Sequence, residues 1–269
     1  MVLTDMNAKR HPLRCLFFVG ALLMSPWVVS RALASSDCLA GAEAQTVRIT
    51  DITDGDSLVV DGNIRLRLIG INAPELHAPG RQTRALARQA RDALHDFLQG
   101  RQAVMIIGQE ARDVHGRILA HVRLTDGRSA AHALVAEGLA SAVAVGANSR
   151  CANSLLEVEQ GARKRRLGLW QSEAFEQGLQ NLSGSESGFQ RVSGTVVAVS
   201  GQGRRAIVQL DNGLQIRLGR HWPGYGSTHT VVPDTLTGSK VRVRGWLNTV
   251  DGQQRMTLHH PGNLELINH

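Results

Sequence analysis

Aromatic side chains make up only 4% of the 269 residues, so any core must be aliphatic, and the 42% hydrophobic content is enough to build one. Cysteine is also scarce, at three residues with no cluster among them. His115, His121 and His132 are scattered, with no His-x-x-x-His spacing, and His259-His260 are adjacent and would point apart on a strand. These absences argue against a zinc site and leave the histidines structural or solvent-facing. His115 is set apart only by lying two residues before Arg117. Past the N-terminus, no run is long and apolar enough to span a membrane.

What is present is positive charge at both ends. The net charge is +7: +3 over residues 1–34, −1 over 35–188 and +5 over 189–269. A polyanion would be drawn mainly to the last third. Residues 1–34 have the layout of a signal peptide: a basic stretch ending at Arg14, an apolar run Cys15–Met24, and Ala32-Leu33-Ala34 before Ser35. The expectation is export to a periplasmic or extracellular space, with a membrane anchor as the alternative if the segment is retained. Cleavage would leave Cys38 and Cys151, which in an oxidising compartment can form one disulfide or stay as two thiols.

After a short segment (35–44), strands are expected at 45–52, 56–60 and 64–71, joined by the turn signals Asp54-Gly55 and Asp61-Gly62-Asn63. Alternation in the third puts Leu66 and Leu68 on one face and Arg65 and Arg67 on the other. A helix follows over 82–98, where Leu86, Ala90, Leu94 and Phe97 recur at helical spacing before Gly100. Strands are expected at 104–107 and 118–124, and helices at 129–137 and 151–166. The basic end of the last helix, Arg163-Lys164-Arg165-Arg166, suits either the helix dipole or a phosphate. Five strands and three helices in this span predict an α+β unit, a small barrel with attached helices.

Within it, Asp54, Asp56, Arg67 and Glu75 fall close together in the chain. Acids that can hold a cation, beside an arginine that can hold a phosphate, suggest phosphodiester chemistry. The blocks Asp54-Gly55-Asp56-Ser57, Arg67 through Glu75, Asp113-x-x-Gly116-Arg117, Gly138-Leu139-Ala140 and Gly168-Leu169-Trp170, in that order, resemble the staphylococcal nuclease (thermonuclease) family over about residues 45–172. The resemblance implies an OB-type five-stranded barrel with three helices, and calcium-dependent hydrolysis of DNA or RNA. It implies that Asp56 and the Ala73 carbonyl bind metal, with Asp54 in an outer position. Arg67 and Arg117 would grip the phosphate, and Glu75 would activate water. Asn72 stands where the family usually has a second metal-binding aspartate, so weak calcium binding is expected. Residues 142–145 lack the tyrosines that the family places beside the nucleotide, which favours recognition of the backbone over the bases.

Residues 173–188, rich in Gln, Ser, Glu and Gly, are expected to be a flexible linker. Residues 189–269 hold five to six short alternating strands, expected as a second small barrel, OB-like. Arg204, Arg205, Arg242 and Arg244 are its candidate nucleic-acid contacts, and Trp222, Tyr225 and Trp246 could stack on bases. The alternative places Trp246 in the core. Together these features predict an exported nuclease acting on DNA or RNA, with a C-terminal β module. A non-catalytic nucleic-acid-binding relative or a surface interaction protein is the alternative.

Overall fold

The computed structural model describes residues 37–78, 80–201, 206–219, 222 and 235–267. The signal-like segment, Arg204, Arg205 and Tyr225 lie outside the described residues. Among the described residues, no helix is long and apolar enough to cross a membrane.

The first sheet runs β1 (Gln45–Val47), β2 (Ile49–Asp54), β3 (Ser57–Val60), β4 (Ile64–Leu68), then β6 (Ala103–Arg112) and β7 (Ile118–Leu124). Its spatial order is β1-β6-β7-β4-β3-β2. β1 and β2 are one strand interrupted only at Arg48, so its two halves pair with β6 and β3 and close a five-stranded barrel. β4 and β7 run parallel, and the other neighbours are antiparallel. Alternation turns Leu58, Val60, Leu66, Leu68, Val122 and Leu124 inward, giving the aliphatic core that the shortage of aromatics requires.

Helix α1 (Arg81–Leu98) buries Ala87, Ala90, Leu94 and Leu98. Leu86 and Phe97, expected on its inward face, pack at the core's edge instead. Gly100 takes φ 66°, the left-handed conformation that turns the chain after the helix. Helix α2 (Ala130–Ala136) is capped by the Ser129 side chain, which accepts the His132 amide. Helix α3 (Ala152–Lys164) buries Leu155, and short strands β5 (Ile71–Asn72) and β8 (Ser141–Ala142) pair beside the barrel.

Cys38 and Cys151 are bonded, with Cα atoms 5.3 Å apart, tying the chain before β1 to the start of α3 across 113 residues. Closing so long a loop restricts the unfolded chain by ~5 kcal/mol in the chain-entropy picture. Cys38→Ser/Cys151→Ser is expected to lower stability by about 2–5 kcal/mol. Urea titration of both forms checks this, and coincident curves would contradict it.

The segment expected to be a flexible linker is folded. Helix α4 (Glu173–Gln177) is capped by Ser172, and Phe175 packs edge-on against buried Trp170 at 5.1 Å. Leu179 then bonds the backbone of Arg191 and Ser193. Polar composition suggested mobility, but an anchoring tryptophan just upstream supplies what composition cannot show.

The second sheet contains β9 (Gly188–Ser200), β10 (Ile207–Leu210), β11 (Gln215–Leu218), β12 (Lys240–Val250), β13 (Gln253–Leu258) and β14 (Leu264–Leu266). Its order β13-β11-β10-β9-β12-β14 is closed by pairing of β12 with β13. Taken by order along the chain, the five barrel strands are arranged 1-2-3-5-4 in both units, with strands 3 and 5 parallel. The second barrel is therefore OB-type like the first.

Candidate active site

The Asp54-Gly55 turn delivers Asp56 to the mouth of the first barrel. A Cβ on Gly55 would lie 2.6 Å from that of Ala90 and 2.8 Å from that of Ala73. Only glycine lets the turn approach α1 and the Ala73 segment this closely. That approach buries Asp56 to 2% exposure. Its carboxylate accepts the Ala73 amide at 2.8 Å, the Ser57 hydroxyl at 3.0 Å and Arg67 Nη1 at 2.6 Å.

Ser57 and Arg67 are register partners across β3 and β4, and Arg67 is the partner of Leu119 on β7. The parallel β4–β7 pairing therefore brings Arg117, just before β7, beside Arg67 despite their separation in sequence. Arg67 Nη2 donates to Asn72 Oδ1 at 2.9 Å, and the Asn72 amide donates to the Ala73 carbonyl at 3.2 Å. Arg117 donates from Nε to Asp113 at 2.7 Å and from Nη1 to the Ser57 hydroxyl at 3.3 Å. Each guanidinium carries five N–H donors, so each keeps donors for a further ligand. Partial burial pushes the Asp113 carboxyl up, but hydrogen bonds from Arg117 outweigh it and hold the group below the usual carboxylate range.

Glu75 follows the Pro74 turn and faces solvent at the rim. Partial burial, then the charges of Asp56 and Asp54, then a hydrogen bond with Asp54, push its carboxyl above the ordinary value. Burial likewise raises Asp56, against the opposing pull of Arg67 and the Ala73 amide. Asp54 adds to the rise at both Glu75 and Asp56, and Asp56 adds to that at Glu75, which marks a local excess of negative potential that a bound cation would relieve.

Arg65, Arg67, Asn72, Glu75, Asp113 and Arg117 line one cleft of about 1040 Å³. His115 lines it too, its backbone amide bonded to Asp113. Among the described residues, no three His, Cys, Asp or Glu side chains are grouped to hold a metal. The donors that do gather, the Asp56 and Asp54 carboxylates, the Asn72 amide oxygen and the Ala73 carbonyl, are all oxygen. That donor set fits a hard cation, with less charge than an aspartate at 72 would bring.

Two residues carry more of this arrangement than the sequence revealed. Ser57 bridges Asp56 and Arg117, and Asp113 orients Arg117. Both sit inside the recognised blocks, and only the strand register shows that they connect.

Arg242 and Arg244, expected as nucleic-acid contacts, are engaged by the protein's own groups. Arg244 is 5% exposed, and its Nη1 donates to Glu159 at 2.5 and 2.8 Å and to the Ala142 carbonyl at 3.0 Å. Arg242 donates to the Gln177 carbonyl at 3.0 Å and pairs with Glu265. Arg244 joins the two barrels, Arg242 ties β12 to α4 and β14, and both guanidinium groups are engaged within the protein. Trp222 is buried in the second core, whereas Trp246 is 40% exposed. At the basic end of α3, Arg163 pairs with Glu176 and Glu265, so its charge is used structurally.

Residues 65–172 match the family model described as staphylococcal nuclease homologue. A thermonuclease of Staphylococcus hyicus is 29% identical over 89 residues, 32% of this chain and 53% of that protein. A thermonuclease of Staphylococcus intermedius is 28% identical over 123 residues, 45% of this chain and 73% of that protein. The chain thus spans about half of one of these relatives and nearly three quarters of the other.

Proposed function

We propose that this chain, which belongs to the staphylococcal nuclease family through residues 65–172, hydrolyses phosphodiester bonds of DNA or RNA in the cleft at the first barrel's mouth. The observation that carries this reading is the linked cluster Asn72–Arg67–Asp56–Ser57–Arg117, with Glu75 on the same cleft. Two guanidinium groups with donors to spare face a space large enough for a nucleotide. Arg67 and Arg117 bind the non-bridging oxygens of the phosphate and offset charge that builds there as the fifth oxygen approaches. Glu75 takes a proton from the attacking water; one P–O bond forms, and the bond to the leaving oxygen breaks. A raised carboxyl is a better base than an ordinary one.

Calcium is the proposed cation, held by Asp56, Asn72 and the Ala73 carbonyl with Asp54 behind them, and when bound it supplies further charge for the phosphate. The Cys38–Cys151 bond supports action in an oxidising space outside the cytosol.

Digestion of DNA and RNA by the purified chain in calcium or EGTA tests the reading. Cleavage in calcium and none in EGTA is expected. Binding without cleavage under any cation would replace it with the non-catalytic alternative.

Asn72 sets the calcium requirement. Asn72→Asp adds a charge to the donor set and is expected to lower the calcium concentration for half-maximal activity by about tenfold or more. An unchanged midpoint would mean that Arg67, which already bonds this side chain, takes up the added charge.

A further inference from the structure

The cleft that holds Arg67 and Arg117 is not lined by the first barrel alone. Trp246 and Asn248, from β12 of the second barrel, form part of its wall, beside Val143 and Val145. Alternation along β12 explains their direction. Val241, Val243 and Leu247 point into the second core, so Arg242, Arg244, Trp246 and Asn248 share the outer face.

That face is fixed against the first barrel. Two residues before Trp246, Arg244 reaches Glu159 and the Ala142 carbonyl. Asn263 accepts the Ala144 amide at 3.1 Å and donates to the Ala144 carbonyl at 2.6 Å. The stretch carrying Val143 and Val145 is thus bonded on both sides to the domain that carries Trp246. Phe189, its register partner on β9, holds the Trp246 ring edge-on at 5.4 Å and 71°. A large aromatic at 40% exposure, clamped on one side and open to a cleft lined by arginines, is arranged to receive a flat apolar group attached to an anion.

We infer that Trp246 is a base-stacking platform and that the second barrel forms one wall of the active-site cleft, binding a nucleobase of single-stranded nucleic acid next to the phosphate held by Arg67 and Arg117. The inference rests on the hydrolytic reading of that cleft. Stacking needs an unpaired base, because a base inside a duplex has both faces covered. Single-stranded DNA or RNA is therefore the preferred substrate, and the preference comes from the C-terminal domain.

The probes are a fluorescein-labelled single-stranded oligothymidylate and an abasic oligonucleotide of equal length, bound in calcium by the full chain in a Glu75→Gln background. Trp246→Ala is expected to weaken binding of the oligothymidylate roughly 5- to 150-fold and to leave abasic binding unchanged. Trp246→Phe, which keeps a ring, is expected to recover most of the loss. With Glu75 intact, Trp246→Ala should lower cleavage of single strands and narrow the gap between single and double strands. Equal oligothymidylate binding with and without Trp246 overturns the inference. If the parent cleaves but Trp246→Ala does so identically, only the stacking role fails; if the parent neither binds nor cleaves, the hydrolytic reading fails with it. A melting curve for Trp246→Ala close to the parent's shows that the change is local.

Discussion

Arg244→Ala is expected to lower the free energy of unfolding by about 3–5 kcal/mol, the largest loss from any single side chain considered above. The reason is what stays behind. Glu159 is 1% exposed and would lose the cation bonded to it, keeping only the more distant charge of Arg191, while the Ser141 hydroxyl and the Ala142 amide still point at it. A carboxylate stranded there either stays charged without compensation or takes up a proton, and both raise the energy of the folded state. For a chain of this size, the loss corresponds to a fall in melting temperature of roughly 6–20 °C. Glu159→Gln/Arg244→Met removes both charges and is expected to recover much of the stability, because a buried pair replaced by neutral groups often costs little. A loss below about 1 kcal/mol for Arg244→Ala would show that the pair is solvated and that the barrels are joined elsewhere.

The damage should also reach the cleft. Glu159 holds the Ala142 amide, β8 pairs with β5, and Asn72 is the register partner of Ser141. Loss of Arg244 therefore loosens the strand that carries Asn72, and with it the oxygen that Arg67 bonds. Activity in Arg244→Ala is expected to fall at temperatures well below the global melting point.

The second large effect is on the reaction itself. Arg117→Ala is expected to reduce cleavage about 10²–10³-fold with little change in stability. Arg117 is partly exposed, and its own partners are Asp113 and the Ser57 hydroxyl, neither of which is left buried and charged without it. Arg67→Ala should cost as much activity and also destabilise, because Asp56 would remain buried without its cation. This asymmetry separates the two arginines. Equal stability losses for both would contradict the distinct surroundings described for them. Kinetics at saturating substrate decide whether the lost interaction belongs to binding or to the transition state.

Much of this architecture can be read from local pattern. Alternation in 64–68 and the Asp54-Gly55 and Asp61-Gly62 turns place the first barrel's strands, and the ordered blocks around Asp56, Arg67, Glu75 and Arg117 locate the cleft. What local pattern does not carry is partnership across the chain. Arg242 and Arg244 look like free surface cations on an alternating strand, yet each faces a glutamate far away in sequence, on α3 or β14. Ser57 looks like the tail of a turn motif, and only register places it between Asp56 and Arg117. Trp246 could have been core or surface, since the strand's alternation fixes its face but not which domain that face meets. The segment after Trp170 looks mobile by composition and is held by an aromatic contact, a cap, the Arg163–Glu176 pair and the backbone bonds of Leu179.

The most direct measurement of the central claim is single-turnover cleavage of single-stranded DNA in calcium by the full chain and by Glu75→Gln. Glu75 lies at the rim, so the variant should fold and bind as the parent does. The account predicts that the cleavage rate falls by about 10²–10⁴-fold while DNA affinity is kept. Cleavage by Glu75→Gln at the parent's rate would contradict it and place the catalytic base elsewhere.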